Sequence, residues 1–193
     1  MLVLGSRLLG TAVMSLQTGT RLARVTRPVI DPGTLTIYAY EVEGTLLTER
    51  PSFLRVAEIR EISGIGMIVD SADDFVGLKD VIKLDELQEL GFPLVGMKVI
   101  DEHRHRLGKV ADYTVETGSF VIQQLTVQRG IFRGLADTGL LIHRSQVVEI
   151  NNDNIVVKAN TNKERAVAPA PVAPREYTNP FRNSAPAPEQ REG

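Results

Sequence analysis

Few residues of this chain have types and spacing that could carry chemistry. His103-Arg104-His105 places two imidazoles at alternate positions, which on a strand would share a face and suit a metal ion. No carboxylate or Cys elsewhere completes an obvious ligand set, so the cluster reads as a solvated basic turn and no metal site is assigned. His143 stands beside Leu141 and Ile142, where a lone His is more often packed or edge-exposed than catalytic. The chain has three His, and no Ser can be set next to a base and an orienting group. Cys is absent, which removes thiolate ligands, a Cys nucleophile and disulfides together. G-x-x-x-x-G-K-[ST] does not occur, and Gly64-Ile65-Gly66 falls in a hairpin rather than in a loop that opens a helix. No catalytic residue and no cofactor is assigned, and the chain is expected to be non-enzymatic.

What remains are residues suited to contact. Arg104, His105, Arg106 and Lys109 form a local basic cluster, joined later in sequence by Arg129 and Arg133. On one face they would meet RNA phosphates or an acidic protein; apart, they are ordinary surface charge. The loop Arg129 to Leu135 sets Ile131 and Phe132 beside Arg133, the composition of an interface anchor, or of a loop folded back on its own domain. Tyr177 and Phe181 put two aromatics into an otherwise bland C-terminal stretch, as short binding motifs do.

These residues need elements to hold them. Hydrophobic residues make up 42% of the 193 residues, enough for one or two small cores, and with no Trp and 5% aromatics those cores rest on Val, Ile and Leu. A net charge of −2 supplies no global positive field for a polyanion, although it leaves room for a local basic patch. The apolar N-terminal run is broken by Arg7 and lacks a basic lead-in, and no stretch approaches the roughly 18 apolar residues of a membrane span. A soluble, unprocessed, cytoplasmic chain is the expectation.

An internal repeat organises the sequence. Gly10 aligns with Gly96 and Val13 with Val99 (96 − 10 = 86); Leu22 then aligns with Leu107, Gly33 with Gly118 and Ile37 with Ile122 (107 − 22 = 85). Ile59 to Asp70 aligns with Val147 to Lys158 (147 − 59 = 88), so the register drifts only in loops. Each copy reads as short β-branched runs between turn residues. In the second copy the runs are 98–100, 109–116, 121–128, 140–143 and a hairpin over 147–157 that turns at Asn151 to Asn154. In the first, 36–43 is a strand and Ser63-Gly64-Ile65-Gly66 the hairpin turn. Between the copies, Leu84, Leu87 and Leu90 recur at helical spacing and Gly91 stands at a C-cap, while Ser71 with Asp74 offers a weaker helix start. From Ala159 the Ala/Pro-rich composition cannot offset its ordering entropy, and a disordered tail is expected.

Leu94 to Glu116 resembles the opening of the PRC-barrel family. The matching residues are Val95-Gly96, Val99-Ile100-Asp101, and Leu107-Gly108-Lys109-Val110 followed by Asp112; His143 to Lys158 is similar to that family's last hairpin. The first copy keeps Leu9-Gly10 and Leu22, but Ala23-Arg24-Val25 replaces Gly-Lys-Val. The resemblance implies a turn at His103 to His105 and an all-β chain with a minor helix: two tandem small PRC-type β-barrels, a helical linker and the tail. The expected limits are 1–70 for the first barrel, 71–91 for the linker, 92–158 for the second barrel and 159–193 for the tail. It further implies an adaptor or scaffold for a protein partner, with an accessory role in ribosome or RNA maturation as the alternative and attachment to a peripheral membrane complex as a third reading. The residues expected to meet a partner are Arg104, Arg106, Lys109, Ile131, Phe132, Arg133, Tyr177 and Phe181.

Overall fold

The computed structural model describes residues 1–128 and 139–159. Ile131, Phe132, Arg133, Tyr177, Phe181 and the tail from 160 onward lie outside the described residues. In chain order the elements are β1 (Leu2–Leu4), α1 (Gly5–Leu8), β2 (Ala12–Ser15), β3 (Arg21–Asp31), β4 (Thr36–Glu43), β5 (Ser52–Arg55), β6 (Glu61–Ser63), β7 (Gly66–Val69), β8 (Phe75–Gly77) and α2 (Ile82–Leu90). The second half adds β9 (Lys98–Asp101), β10 (Arg106–Glu116), β11 (Ile122–Gln128), β12 (Leu140–His143), β13 (Val147–Ile150) and β14 (Asn154–Val157). The strands expected over 36–43 and 140–143 and the two late hairpins stand where periodicity put them.

The repeat carries through to topology. One seven-stranded sheet runs β6-β7-β2-β3-β4-β5-β8; the other runs β13-β14-β9-β10-β11-β12, with β1 added on β10. Six strands therefore recur in the same order, including one parallel pairing in each copy: Val13 opposite Met67 on β2 and β7, and Val99 opposite Ile155 on β9 and β14. The chain is mostly β, and neither sheet closes into a ring among the described residues. The departure from Gly-Lys-Val in the first copy has a steric reason. In the second copy β10 passes so close to the Gln128 carbonyl that only Gly108, at φ 151°, fits. In the first, Ala23 occupies that place and the glycine sits on the facing chain as Gly44, against the Leu22 carbonyl.

The two copies share one core. Val13, Val25, Ile37, Tyr40, Leu54 and Met67 of the first form a single apolar cluster with Val99, Val110, Ile122, Leu125, Ile142 and Ile155 of the second. Each Val, Leu, Ile or Met side chain among them contributes about 1.5–3 kcal/mol on full burial. At the seam, Thr36 bridges Val121; the Ile37 amide donates to the Phe120 carbonyl (2.9 Å) and the Ile122 amide to the Leu35 carbonyl (2.8 Å). Since 122 − 37 and 120 − 35 are both 85, the two bonds are images of each other under the repeat, as across the two-fold axis of a dimer. Leu35 and Phe120 hold φ of 50° and 54°, the left-handed region, yet both are buried, and the Phe120 ring meets Tyr40 edge-on at 6.3 Å. Core packing at the seam holds this backbone in place.

The segments that precede each copy cross over. β1, at the head of the first copy, pairs with β10 of the second, Val3 opposite Val115, and Ser6 donates through its hydroxyl to Asp112 (2.5 Å). A Cβ on Gly5 would fall inside the Tyr113 ring, so that residue lets the N-terminal segment lie flat on the second copy. The helix before the second copy instead covers the first: Leu84 and Leu87 of α2 pack with Val29, Ala39 and Phe53 on the outer face of that sheet. α2 ends where the sequence indicates, with Gly91 in the left-handed conformation and its amide on the Leu87 carbonyl. Ser71 and Asp74 form a reciprocal cap on a short 3-10 turn rather than starting an α-helix.

Candidate functional site

The basic cluster lies on the hairpin joining β9 to β10. Asp101, 9% exposed, organises its turn: one carboxylate oxygen accepts from the amides of His103 (2.9 Å) and His105 (2.8 Å), and the other lies 2.9 Å from His105 Nδ1. Burial pushes the Asp101 carboxyl upward, but the His105 backbone and ring together with the His103 amide outweigh it, and the group is held below the usual carboxylate range. The two imidazoles are thus part of a turn, their ring centres 6.0 Å apart. Among the described residues no group of three or more His, Cys, Asp or Glu is arranged to hold a metal ion. His143 is exposed and caps the next 3-10 turn, its Nδ1 at 2.8 Å from the Ser145 hydroxyl.

Arg104 is the strained residue of this turn, with φ of 66°. The equivalent turn of the first copy, Ser15 to Thr20, has the same closing bonds and puts Gly19 at the same φ. Glycine takes this conformation without penalty, whereas an L side chain pays roughly 1–2 kcal/mol. The second copy therefore keeps a guanidinium at an exposed turn tip at a cost in stability.

Lys109 and Arg106 are exposed on β10, and the ladder adds a residue that the sequence reading did not single out. Lys98 on β9 is directly opposite Lys109 and is likewise exposed. Like charges opposite each other in an antiparallel pair are unfavourable by a few tenths of a kcal/mol up to about 1. Their flanks give no relief: Lys109 has Gln128 on its other side, and Lys98 has Asn154. The corresponding row in the first copy is Ala12, Arg24 and Glu43, in which Arg24 forms an ion pair with Glu43.

The contrast is one of degree over the rest of the copies, since Arg7, Arg21, Arg50 and Lys79 are also without an ion pair among the described residues. In and around the first, Arg24, Arg27, Arg55, Arg60 and Lys83 pair with Glu43, Glu41, Glu58, Asp70 and Asp31. In the second, four acids are taken up by neutral donors: Asp112 by Ser6, Glu116 by Ser119 and Gln123, Glu149 by Asn151, and Glu102 by the Ala159 amide. Asp101 serves the turn. Lys98, Arg104, Arg106 and Lys109 consequently have no carboxylate within ion-pair distance among the described residues.

A groove of about 680 Å³ lies in the first copy between β3 and the 44–52 loop. Arg21, Arg24, Arg50, Glu41, Glu43 and Glu49 line it with both signs of charge, and no residue expected to meet a partner is among them. A smaller one, about 430 Å³, opens at the seam, where Arg144 donates to the Thr34 carbonyl (3.0 Å). Among the described residues no helix is long and apolar enough to cross a membrane. No family model matches the sequence, and no curated protein matches it.

Proposed function

We propose that this chain is a non-enzymatic adaptor built from two PRC-type barrels, and that its second copy presents a cationic face to an acidic protein surface. The observation that carries the reading is Arg104, kept in a glycine conformation at the tip of the hairpin that also carries Arg106, Lys98 and Lys109, all exposed and without carboxylate partners among the described residues. Strain and like-charge opposition both work against the fold, and an acidic partner relieves the second of them. The twice-used strand order, with one parallel pairing in each copy, supports the barrel assignment. A rigid sheet under the face keeps its charges in register, which favours fast, salt-sensitive association.

The test is retention of the full chain on immobilised poly-glutamate at low and high salt. Binding should weaken by about ten-fold or more when Lys98 and Lys109 are both replaced by Glu, and should fall with ionic strength. Equal retention of the variant and the parent would sink the reading. The alternative, an accessory factor in ribosome or RNA maturation, draws on the same row, because closely spaced cations also suit successive phosphates. Preference for single-stranded RNA over poly-glutamate in this assay, lost in the same variant, would favour that alternative.

A further inference from the structure

The free edges of the two sheets are not equivalent. In the first copy β8 lies antiparallel on the outer edge of β5, with Ser52, Phe53 and Leu54 opposite Gly77, Val76 and Phe75. β12 is the same strand of the second copy: Tyr40 faces Leu54 in one and Leu125 faces Ile142 in the other (125 − 40 = 85, 142 − 54 = 88). Leu140, Leu141 and Ile142 thus stand where Ser52, Phe53 and Leu54 do. Among the described residues no strand lies on the outer side of β12, and Leu141 is 60% exposed where Phe53 is 0% exposed. An unpaired edge carries a row of unused amide and carbonyl groups and is a template for strand addition.

We infer that the outer edge of β12 accepts an extended peptide segment of a partner protein, antiparallel, in the place that β8 fills on β5. The first copy supplies the chemistry of the occupant. Phe75, opposite Leu54, packs at the rim of the shared core, and Val76, opposite Phe53, packs in the outer cluster. A matching segment sets a large apolar side chain opposite Ile142 and a branched one opposite Leu141. An acidic residue just before them suits His143 and Arg144, as Asp74 precedes Phe75. β12 offers four residues of edge, and pairing over so short a strand suits an extended segment, which needs no second folded surface beside it. This inference stands independently of the cationic face.

The probe is a synthetic peptide of residues 72–80, which contains the β8 sequence, added to the full chain and followed by amide hydrogen exchange and sedimentation. Among Leu140 to Ile142, amides directed away from β11 should exchange fast in the free chain and about ten-fold or more slowly with peptide, with no effect from a scrambled peptide. Leu141→Lys, at an exposed site, should weaken the peptide by about ten-fold while leaving the circular dichroism unchanged. Slow exchange of the outward β12 amides in the free chain, whether from its own residues or from a second copy seen as a dimer, would overturn the inference. So would protection that ignores the peptide or the Lys substitution.

Discussion

The two copies begin from one strand order and spend their charged and apolar residues differently. The first pairs four of its seven arginines, Arg24, Arg27, Arg55 and Arg60, with glutamates and aspartates and hides its outer face, Val29, Ala39 and Phe53, beneath a helix. The second places Thr114, Gln124 and Leu141 at the same positions, polar or solvent-facing, and leaves Lys98, Arg104, Arg106, Lys109, Arg144 and Lys158 without carboxylates among the described residues. The first half meets more of its charge internally, and the second is left with more capacity for contact. Duplication permits this division, because a shared core supports both halves while their surfaces diverge.

The severest test of that division is at the seam. Phe120→Ala is expected to cost about 3–5 kcal/mol and Leu35→Ala about 2–5, the range for emptying buried sites. Because the core is continuous, denaturant unfolding of either variant should shift one cooperative transition, read by circular dichroism. Two transitions, of which only one moves, would mean that the copies are independent after all.

A smaller effect of opposite sign is expected at the turn. Arg104→Gly removes left-handed strain but adds chain entropy to the unfolded state, so stability should rise by up to about 1 kcal/mol. Poly-glutamate retention should fall in the same variant. A loss of stability would show that Arg104 is held by contacts rather than kept for a partner.

The smallest effect is pH-dependent. Asp101 is held below its ordinary carboxylate value in the folded chain, so the stability it contributes is complete above the unfolded value, about 3.9, and is lost as pH falls through the folded one. Exchange at the His103 and His105 amides, corrected for intrinsic rates, should therefore quicken only at pH below about 4. The Ser15 turn, closed by a hydroxyl and not a carboxylate, should show no such dependence. Parallel behaviour of the two turns would remove Asp101 from its organising role.

Much of the fold was legible because it is local. Hairpin turns at Ser63 to Gly66 and Asn151 to Asn154, the Gly91 cap and the strand over 36–43 follow from residues that favour one backbone state whatever surrounds them. Of the site, the exposed turn carrying Arg104 and Arg106 and the outward Lys109 were visible, whereas Lys98 was not. Its opposition to Lys109 depends on hairpin register, and a bulge between Arg106 and Gly108 sets that register.

The sequence by itself determined the repeat, the strand over 36–43, the late hairpin of each copy, the helix between the copies and the absence of Cys chemistry, since composition and periodicity carry that information. Only the tertiary structure decided that the copies share one core, that β1 crosses to the second sheet, and which cations find carboxylates. Those outcomes depend on contacts between residues a hundred positions apart, such as Ser6 with Asp112, and no local preference encodes them.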